Sequence, residues 1–277
     1  MGTSQGGLWS DSFGAVGATL KALQDAGITP EHLAALRSDR GLANAVARLI
    51  KQKTVSPSFA EKQLGFLEPG RFFGPTDWVK IFGIEISEFV ASPGLLSRFN
   101  LREVLDGPCP FVVGKTVKET HYFFYLPPNF DGKPLTLKTW QRIFPETGEF
   151  CFSAYMDSGA WFRDYDFAKE GLARWSWYLM FEGVVPGSGS KTWEEQLAFK
   201  PQGYEIPSLV ECVPLYLLTA CKNGSLRRPF GYGRTDDFTD FTRVEVGFST
   251  KNLDVNQSPP IQVSPSIGLF LFRKLYD

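Results

Sequence analysis

The sequence predicts an α+β protein: a small helical segment at the N-terminus, then a larger mixed domain. Three observations predict it. Aromatic residues make up 15% of the chain, with 25 Phe, 9 Tyr and 7 Trp, and aromatic runs favour strands. Helical periodicity and strand-like runs follow each other irregularly, which excludes a regular βαβ repeat. Gly and Pro, at 27 and 19 residues, punctuate the chain beyond residue 53 as turns.

Residues 1–53 read as helices. Phe13, Val16, Leu20 and Leu23 recur at helical spacing, and Gly27 is a natural stop. Thr29-Pro30-Glu31 is a helix start, and Leu42, Val46, Leu49 and Ile50 mark a further amphipathic helix. Residues 54–107 read as a connecting region, opened by the linker TVSPS (54–58) and punctuated by Pro69-Gly70, Gly74-Pro75 and Pro93-Gly94. Within it, Trp78, Ile81 and Phe82 predict a short helix. Residues 108–277 read as the main domain. HYFFYL (121–126) is a strand closed by two prolines, and 135–144 a helix stopped by Pro145. RWSWYLMFEGVV (174–185) is a strand run bounded by Pro186-Gly187. Thr192 to Glu195 is a capping box that opens a short helix. Residues 206–222 read as a longer helix, kinked by Pro214. TRVEVGF (242–248) alternates as a strand, 252–266 reads as a long polar connection, and IGLFLFRKL (267–275) as one last strand.

The charge balance narrows the function classes. With Lys+Arg 29 and Asp+Glu 30 the net charge is -1, so no basic excess advertises nucleic acid. The first twenty residues lack a basic region and a continuous apolar run, and no signal peptide is expected. Residues 209–221 are apolar but carry Glu211 and Pro214, which suits a core helix and not a membrane span. Cys109, Cys151, Cys212 and Cys221 form no C-x-x-C pair, and the histidines are His32 and His121. A cytoplasmic protein with free thiols, no metal and no cofactor is expected, with neither nucleic acid nor membrane among its partners.

Several motifs invite a chemistry. Gly114-Lys115-Thr116 resembles the end of a phosphate loop, but Cys109 stands where the first Gly belongs. PGSGSKT (186–192) has the strand–loop–helix context of one, but Ser190 and Val185 stand where Gly is needed. His121 is a candidate general base, and Asp157, Asp164 and Asp166 beside Trp161 and Tyr165 a candidate carboxylate surface. Trp175 and Trp177 share one strand face and, with Trp161 and Trp193, offer core packing or a stacking platform. The bland reading of each is structural: capped loops, a packed His, solvated acids, aromatic core.

Four phrases carry a resemblance. They are PCPFVVGKTVKETHYFF (108–124), PLTLKTWQRIFPETGE (134–149), RWSWYLM with VPGSGSKTWEEQ (174–196), and a tail containing GYGRTDDF, RVEVGF, NLDVN and IGLFLFRK. Together they are similar to a family of uncharacterised proteins from uncultivated bacterial lineages, whose tails resemble the variable proteins targeted by diversity-generating retroelements. The resemblance implies a C-type-lectin-like domain over 108–277. Its terminal strand would pair back toward the domain's start, and a loop between the last strands would form the binding surface. Carried onto this chain, Arg234-Thr235-Asp236 precede the display region and the strand from Ile267 follows it. The binding positions are then Asp254, Asn256, Gln257, Ser258, Gln262, Ser264 and Ser266. Variable tails are rich in Trp, Tyr, Asp and Asn, whereas this stretch reads QSPPIQVSPS. The sugar-binding triplets Glu-Pro-Asn and Trp-Asn-Asp are absent, so no calcium-dependent sugar site is expected. Cys212 and Cys221 would lie on opposite faces of a helix with no later Cys, which departs from the cysteine pair of the formylglycine-generating enzymes.

The leading expectation is therefore a non-enzymatic protein that presents a C-terminal loop to a macromolecular ligand, a protein. Two alternatives stand beside it: an enzyme with Trp161, Asp164, Asp166 and His121 in one pocket, and a symmetric structural or phage component.

Overall fold

The computed structural model describes residues 13–54, 64–68, 70–82, 100–130, 132–143, 151–154, 161–172, 176–223, 231–248 and 252–275. Pro69, Pro93-Gly94, Pro145, Asp157, Trp175 and the linker beyond Thr54 lie outside them, so the expectations placed on these residues do too. The chain divides into two compact units, Met1–Thr54 and Val55–Asp277.

Among its described residues the first unit holds three helices, Phe13–Asp25, Pro30–Ser38 and Arg40–Thr54, as the periodicity predicts. Gly27 closes the first turn at φ 83°, a conformation that favours glycine. None of residues 17–47 is buried, so these helices expose Leu20, Leu23 and Leu42.

The second unit is mixed helix and sheet. A four-stranded sheet has the order β1 (Phe72–Phe73), β2 (His121–Leu126), β6 (Ser176–Phe181), β11 (Phe272–Leu275). β1 is parallel to β2, and the other pairs are antiparallel. A five-stranded sheet has the order β10 (Ile267–Leu269), β7 (Tyr232–Phe238), β8 (Arg243–Phe248), β9 (Asn252–Ser258), β5 (Cys151–Ala154). Its outer pairs, β10 with β7 and β5 with β9, are parallel, and the two inner pairs antiparallel. A small ribbon joins β3 (Asn129–Phe130) to β4 (Lys133–Pro134).

β2 and β6 are buried at every position, because both faces of their sheet are covered. Strands in that position read as continuous apolar runs, which is why HYFFYL and SWYLMF are legible in the sequence. Tyr122, Phe124, Tyr178, Met180 and Phe272 face one core cluster. Phe123, Tyr125, Trp177, Leu179 and Leu275 face a second, with Leu101 and Leu105 of the helix Leu101–Asp106. The first cluster also contains the long helix Leu209–Asn223 and the inward side chains Val244, Val246, Leu253 and Val255 of the five-stranded sheet. That helix contacts both sheets through β2 and β7, and residues 209–220 are buried throughout. A helix apolar on all sides is a core helix, and it runs unbroken through Pro214.

Four local expectations change. The region read as a connection contributes β1 and the fully buried Trp78, whose Nε1 donates to the Tyr125 carbonyl. The stretch directly after Gly114-Lys115-Thr116, which reads as strand-like, forms a four-residue helix, Val117–Thr120, before the strand begins. The last apolar run is two strands in different sheets: β10 and β11 are separated by the buried pair Phe270-Leu271. Finally, β11 pairs with β6, which separates it from β2, so the terminal strand returns toward the domain's start at one remove.

Candidate functional site

The expected display stretch has two parts. Residues 252–258 are strand β9, because Leu253 and Val255 alternate inward with Asp254 and Asn256 outward. The long polar loop expected over 252–266 is thus cut to 259–266. Of the predicted binding residues, Asp254 and Ser258 are buried. Asp254 accepts from the Tyr232 hydroxyl (3.0 Å), and Ser258 donates to Glu245 Oε2 (3.2 Å). Asn256 and Gln257 are half-buried, and Gln257 Oε1 accepts from Thr242 Oγ1 (3.0 Å). In the connection, Gln262 and Ser266 are exposed and Ser264 half-buried. The Ser264 and Ser266 hydroxyls bond each other (2.8 Å).

Topology dictates the path of the connection. β7 and β9 are both antiparallel to β8, so they run in one direction, and β10 runs parallel to β7. The chain must therefore travel back along the sheet from Ser258 to Ile267, passing β8 and β7. It does so over the face opposite the helix. Arg234 and Glu245 lie directly across from each other on that face, as do Glu245 and Asn256.

Arg234 holds the connection down. It is fully buried. Its Nη2 donates to the Gln262 carbonyl (2.6 Å), and its Nη1 to Gln196 Oε1 (3.2 Å) and the Lys191 carbonyl (3.4 Å). Burial lowers the guanidinium's pKa, and the charge of Glu245 opposes that shift. Burial raises the Glu245 carboxyl in turn, against the Ser258 hydrogen bond and the Arg234 charge.

The loop after β6 supplies the other anchors. Ser190 N donates to the Ser264 carbonyl (2.8 Å) and Trp193 N to the Pro260 carbonyl (2.9 Å). A Cβ on Gly189 would stand 2.9 Å from the Pro265 carbonyl oxygen, so the close approach of the two backbones requires glycine there. These contacts use the amides that a phosphate would need. Thr192 N likewise donates to Glu195 Oε2 (2.7 Å) in the predicted capping box, and PGSGSKT is a structural clamp.

Sequence reasoning missed the apolar side chains around the connection. Ile261 is 81% exposed and Val263 54%. Phe238 and Phe241, at the β7–β8 hairpin, are 64% and 85% exposed. The Arg243 guanidinium lies over the Trp193 ring (4.2 Å) and the Phe238 ring (5.3 Å), linking the hairpin to the residue that holds Pro260. The available signal was apolar residues inside turn-like text: DDFTDF and PPIQV.

Of the enzyme candidates, the side chain of Trp161 lies outside the described residues, and His121, Asp164 and Asp166 have different surroundings. His121 is 2% exposed, packed against Phe111, Phe181 and Tyr204. Its Nδ1 pairs with Thr120 Oγ1 (3.0 Å) and its Nε2 with the Tyr204 hydroxyl (2.9 Å). Burial lowers its pKa to about 3, so it is neutral in the physiological range. Asp164 and Asp166 are exposed, and Asp166 pairs with Lys169 (3.8 Å). Lys115 pairs with Glu119 (3.1 Å). Trp177 is core, stacked on Phe123. Burial holds the Cys212 thiol well above its ordinary pKa, which suits packing and not nucleophilic attack. Cys109, Cys212 and Cys221 are free thiols. Among the described residues no group of three His, Cys, Asp or Glu could hold a metal ion, and no helix is long and apolar enough to cross a membrane.

No family model, no curated protein and no solved structure matches this chain.

Proposed function

We propose that this protein is a non-enzymatic binding protein that presents the β9–β10 connection and the adjacent β7–β8 hairpin to a protein ligand. The observation that carries the reading is the pairing of exposed apolar side chains with a held backbone. Ile261, Val263, Phe238 and Phe241 face solvent, while Arg234, Ser190 and Trp193 fix the connection beneath them. Exposed apolar clusters rimmed by polar residues mark interaction sites, and a fixed backbone lowers the entropy cost of binding. The finer reading, a C-type-lectin-like scaffold related to retroelement-diversified variable proteins in a cytoplasmic setting, rests on the sequence phrases and the free thiols and belongs to the same proposal.

The test uses the full chain as bait and a variant carrying Ile261→Asp and Val263→Asp. Both sites are exposed, so the variant should fold like the parent. A protein retained by the parent and released by the variant is the expected result. Equal retention by both, or no protein retained by the parent at micromolar bait, overturns the proposal.

A further inference from the structure

A cleft of about 310 Å³ lies beside the start of the helix Leu209–Asn223, away from the β9–β10 connection. That is near the lower end of the roughly 300–1,000 Å³ typical of small-ligand pockets. Phe167, Leu172, Ile206 and Val210 supply apolar wall. Among the described residues its charged lining is Glu170, Glu205, Glu211, Asp236 and Asp237 against one cation, Lys274.

The roles of these groups are unequal. A helix N-terminus ordinarily attracts anions, but this one is filled from within the chain. Leu209 N donates to Asp237 Oδ2, and the Ser208 amide and hydroxyl both donate to Glu211 Oε2 at 3.0 Å. Lys274 bonds Glu211 Oε1 (2.8 Å) and Glu205 Oε2 (3.4 Å). Glu211 and Asp237 are thus structural, and Lys274 is committed. Glu170 and Asp236 add two further carboxylates at the exposed rim, and the Asp236 carboxylate stands 3.9 Å from Arg243 Nη1. Among the described residues, negative charge is left unbalanced at the cleft. Consistent with that, burial and the charges of Asp236 and Glu211 push the Asp237 carboxyl up to about 6, against its two hydrogen bonds.

An anion is excluded by the charge and by the spent helix amides. Among the described residues no group of three His, Cys, Asp or Glu could hold a metal ion, which disfavours a coordinated metal here. What fits is a cation whose charge can be shared by spread carboxylates and whose body is apolar. We propose that the cleft binds an alkylammonium ligand, with the ammonium group at the rim beside Glu170 and Asp236 and the alkyl stem along Phe167, Leu172 and Ile206. A free aliphatic amine and the lysine side chain of a peptide share this chemistry.

Calorimetric titration of the full chain tests it with n-hexylamine, 1-hexanol, hexanoate and N-acetyl-lysine methylamide. Hexylamine should bind saturably and lose affinity as salt rises, with the alcohol and the carboxylate much weaker. Replacing Glu170→Gln and Asp236→Asn together should weaken hexylamine by about tenfold. Lysine methylamide binding as well as hexylamine assigns the site to a peptide side chain, and weaker binding assigns it to a free amine. Hexanol binding equal to hexylamine, an unchanged affinity in the double variant, or no saturable binding of either amine overturns the proposal. Ile261 and Val263 do not line the cleft, so the two binding proposals fail or stand separately.

Discussion

Replacing Arg234 with Met tests whether one buried cation organises the binding face. Met keeps an apolar stem and removes the guanidinium. Three acceptors lose their donor: the carbonyls of Gln262 and Lys191, and Gln196 Oε1. The carbonyls can recover water if the connection lifts. Glu245 cannot, because it is 6% exposed and lies across from Arg234 within the sheet. Hydrogen bonds to a charged donor contribute roughly 1.5–3 kcal/mol each, and Glu245 also loses the nearby positive charge that favours its ionised form. Glu245 has an escape, however, since burial already raises its pKa and it can take up a proton. The sign follows. A carboxyl with a raised folded pKa destabilises above that pKa, and the penalty vanishes below the unfolded value. The expected loss is about 3 kcal/mol at pH 7, shrinking by up to ~1.4 kcal/mol per pH unit once Glu245 begins to protonate. Urea denaturation at pH 7 and pH 5 measures it, and amide exchange over 259–266 should show the connection opening first. Adding Glu245→Gln should recover about half the loss, because the amide still accepts from Ser258 without a charge. A loss under about 1 kcal/mol, the range of an exposed pair, would refute the reasoning. So would a loss independent of pH, or a double variant no better than the single.

Two further expectations concern acid. His121, with its pKa lowered to about 3, stays neutral in the folded state while the unfolded chain protonates near the ordinary 6.5. Stability is therefore full above that value and falls on acidification toward pH 3 by up to ~1.4 kcal/mol per unit, and an imidazole NMR signal assigned to His121 that titrates near 6.5 would contradict this. Asp237 acts in the opposite sense, since its pKa is raised from 3.8 to about 6 and its ionisation costs stability as pH rises through that window. Asp237→Asn, which can still accept from Leu209 N, should make stability rise more steeply between pH 4 and 6 than in the parent, by roughly 3 kcal/mol in total; parallel pH profiles for the two proteins would refute it.

What the sequence disclosed follows from how each element is packed. β2, β6 and the core helix are covered on all sides, so their composition alone marks them. The capping box at Thr192 is a local signal, and it stands as expected. β7 was invisible because GYGRTDDF serves neighbours other than a solvent face. Gly233 is required where the Phe270 ring presses on the strand, Arg234 binds the connection, and Asp237 caps a helix 28 residues earlier in the chain. β9 carried a weak alternation, Leu253 and Val255, hidden by polar side chains that the crossing connection buries. The split between β10 and β11 leaves no trace, since Phe270 and Leu271 are as apolar as the strands they separate. Long-range covering, and not local propensity, decided each of these.

The same distinction changes which residues matter for binding. From the sequence, the polar side chains of 254–266 look like the contact groups. In the fold, three of those seven are spent on side chains of the sheet and its hairpin: Asp254 on Tyr232, Ser258 on Glu245, Gln257 on Thr242. A polar residue whose hydrogen bonds are already made inside has little to offer a partner, whereas an exposed Ile or Phe gains by leaving water. The surface left available is therefore more apolar than its sequence suggests. The aromatic excess takes part in it through Phe238 and Phe241, although most aromatic residues are core. Arg243 joins the two sides of that surface by lying over both Trp193 and Phe238. Its loss would loosen the hairpin, with Phe238, from the connection and leave Ile261 and Val263 in place. Arg243→Ala should thus weaken the binding of a partner that spans both while preserving one that needs Ile261 and Val263 alone.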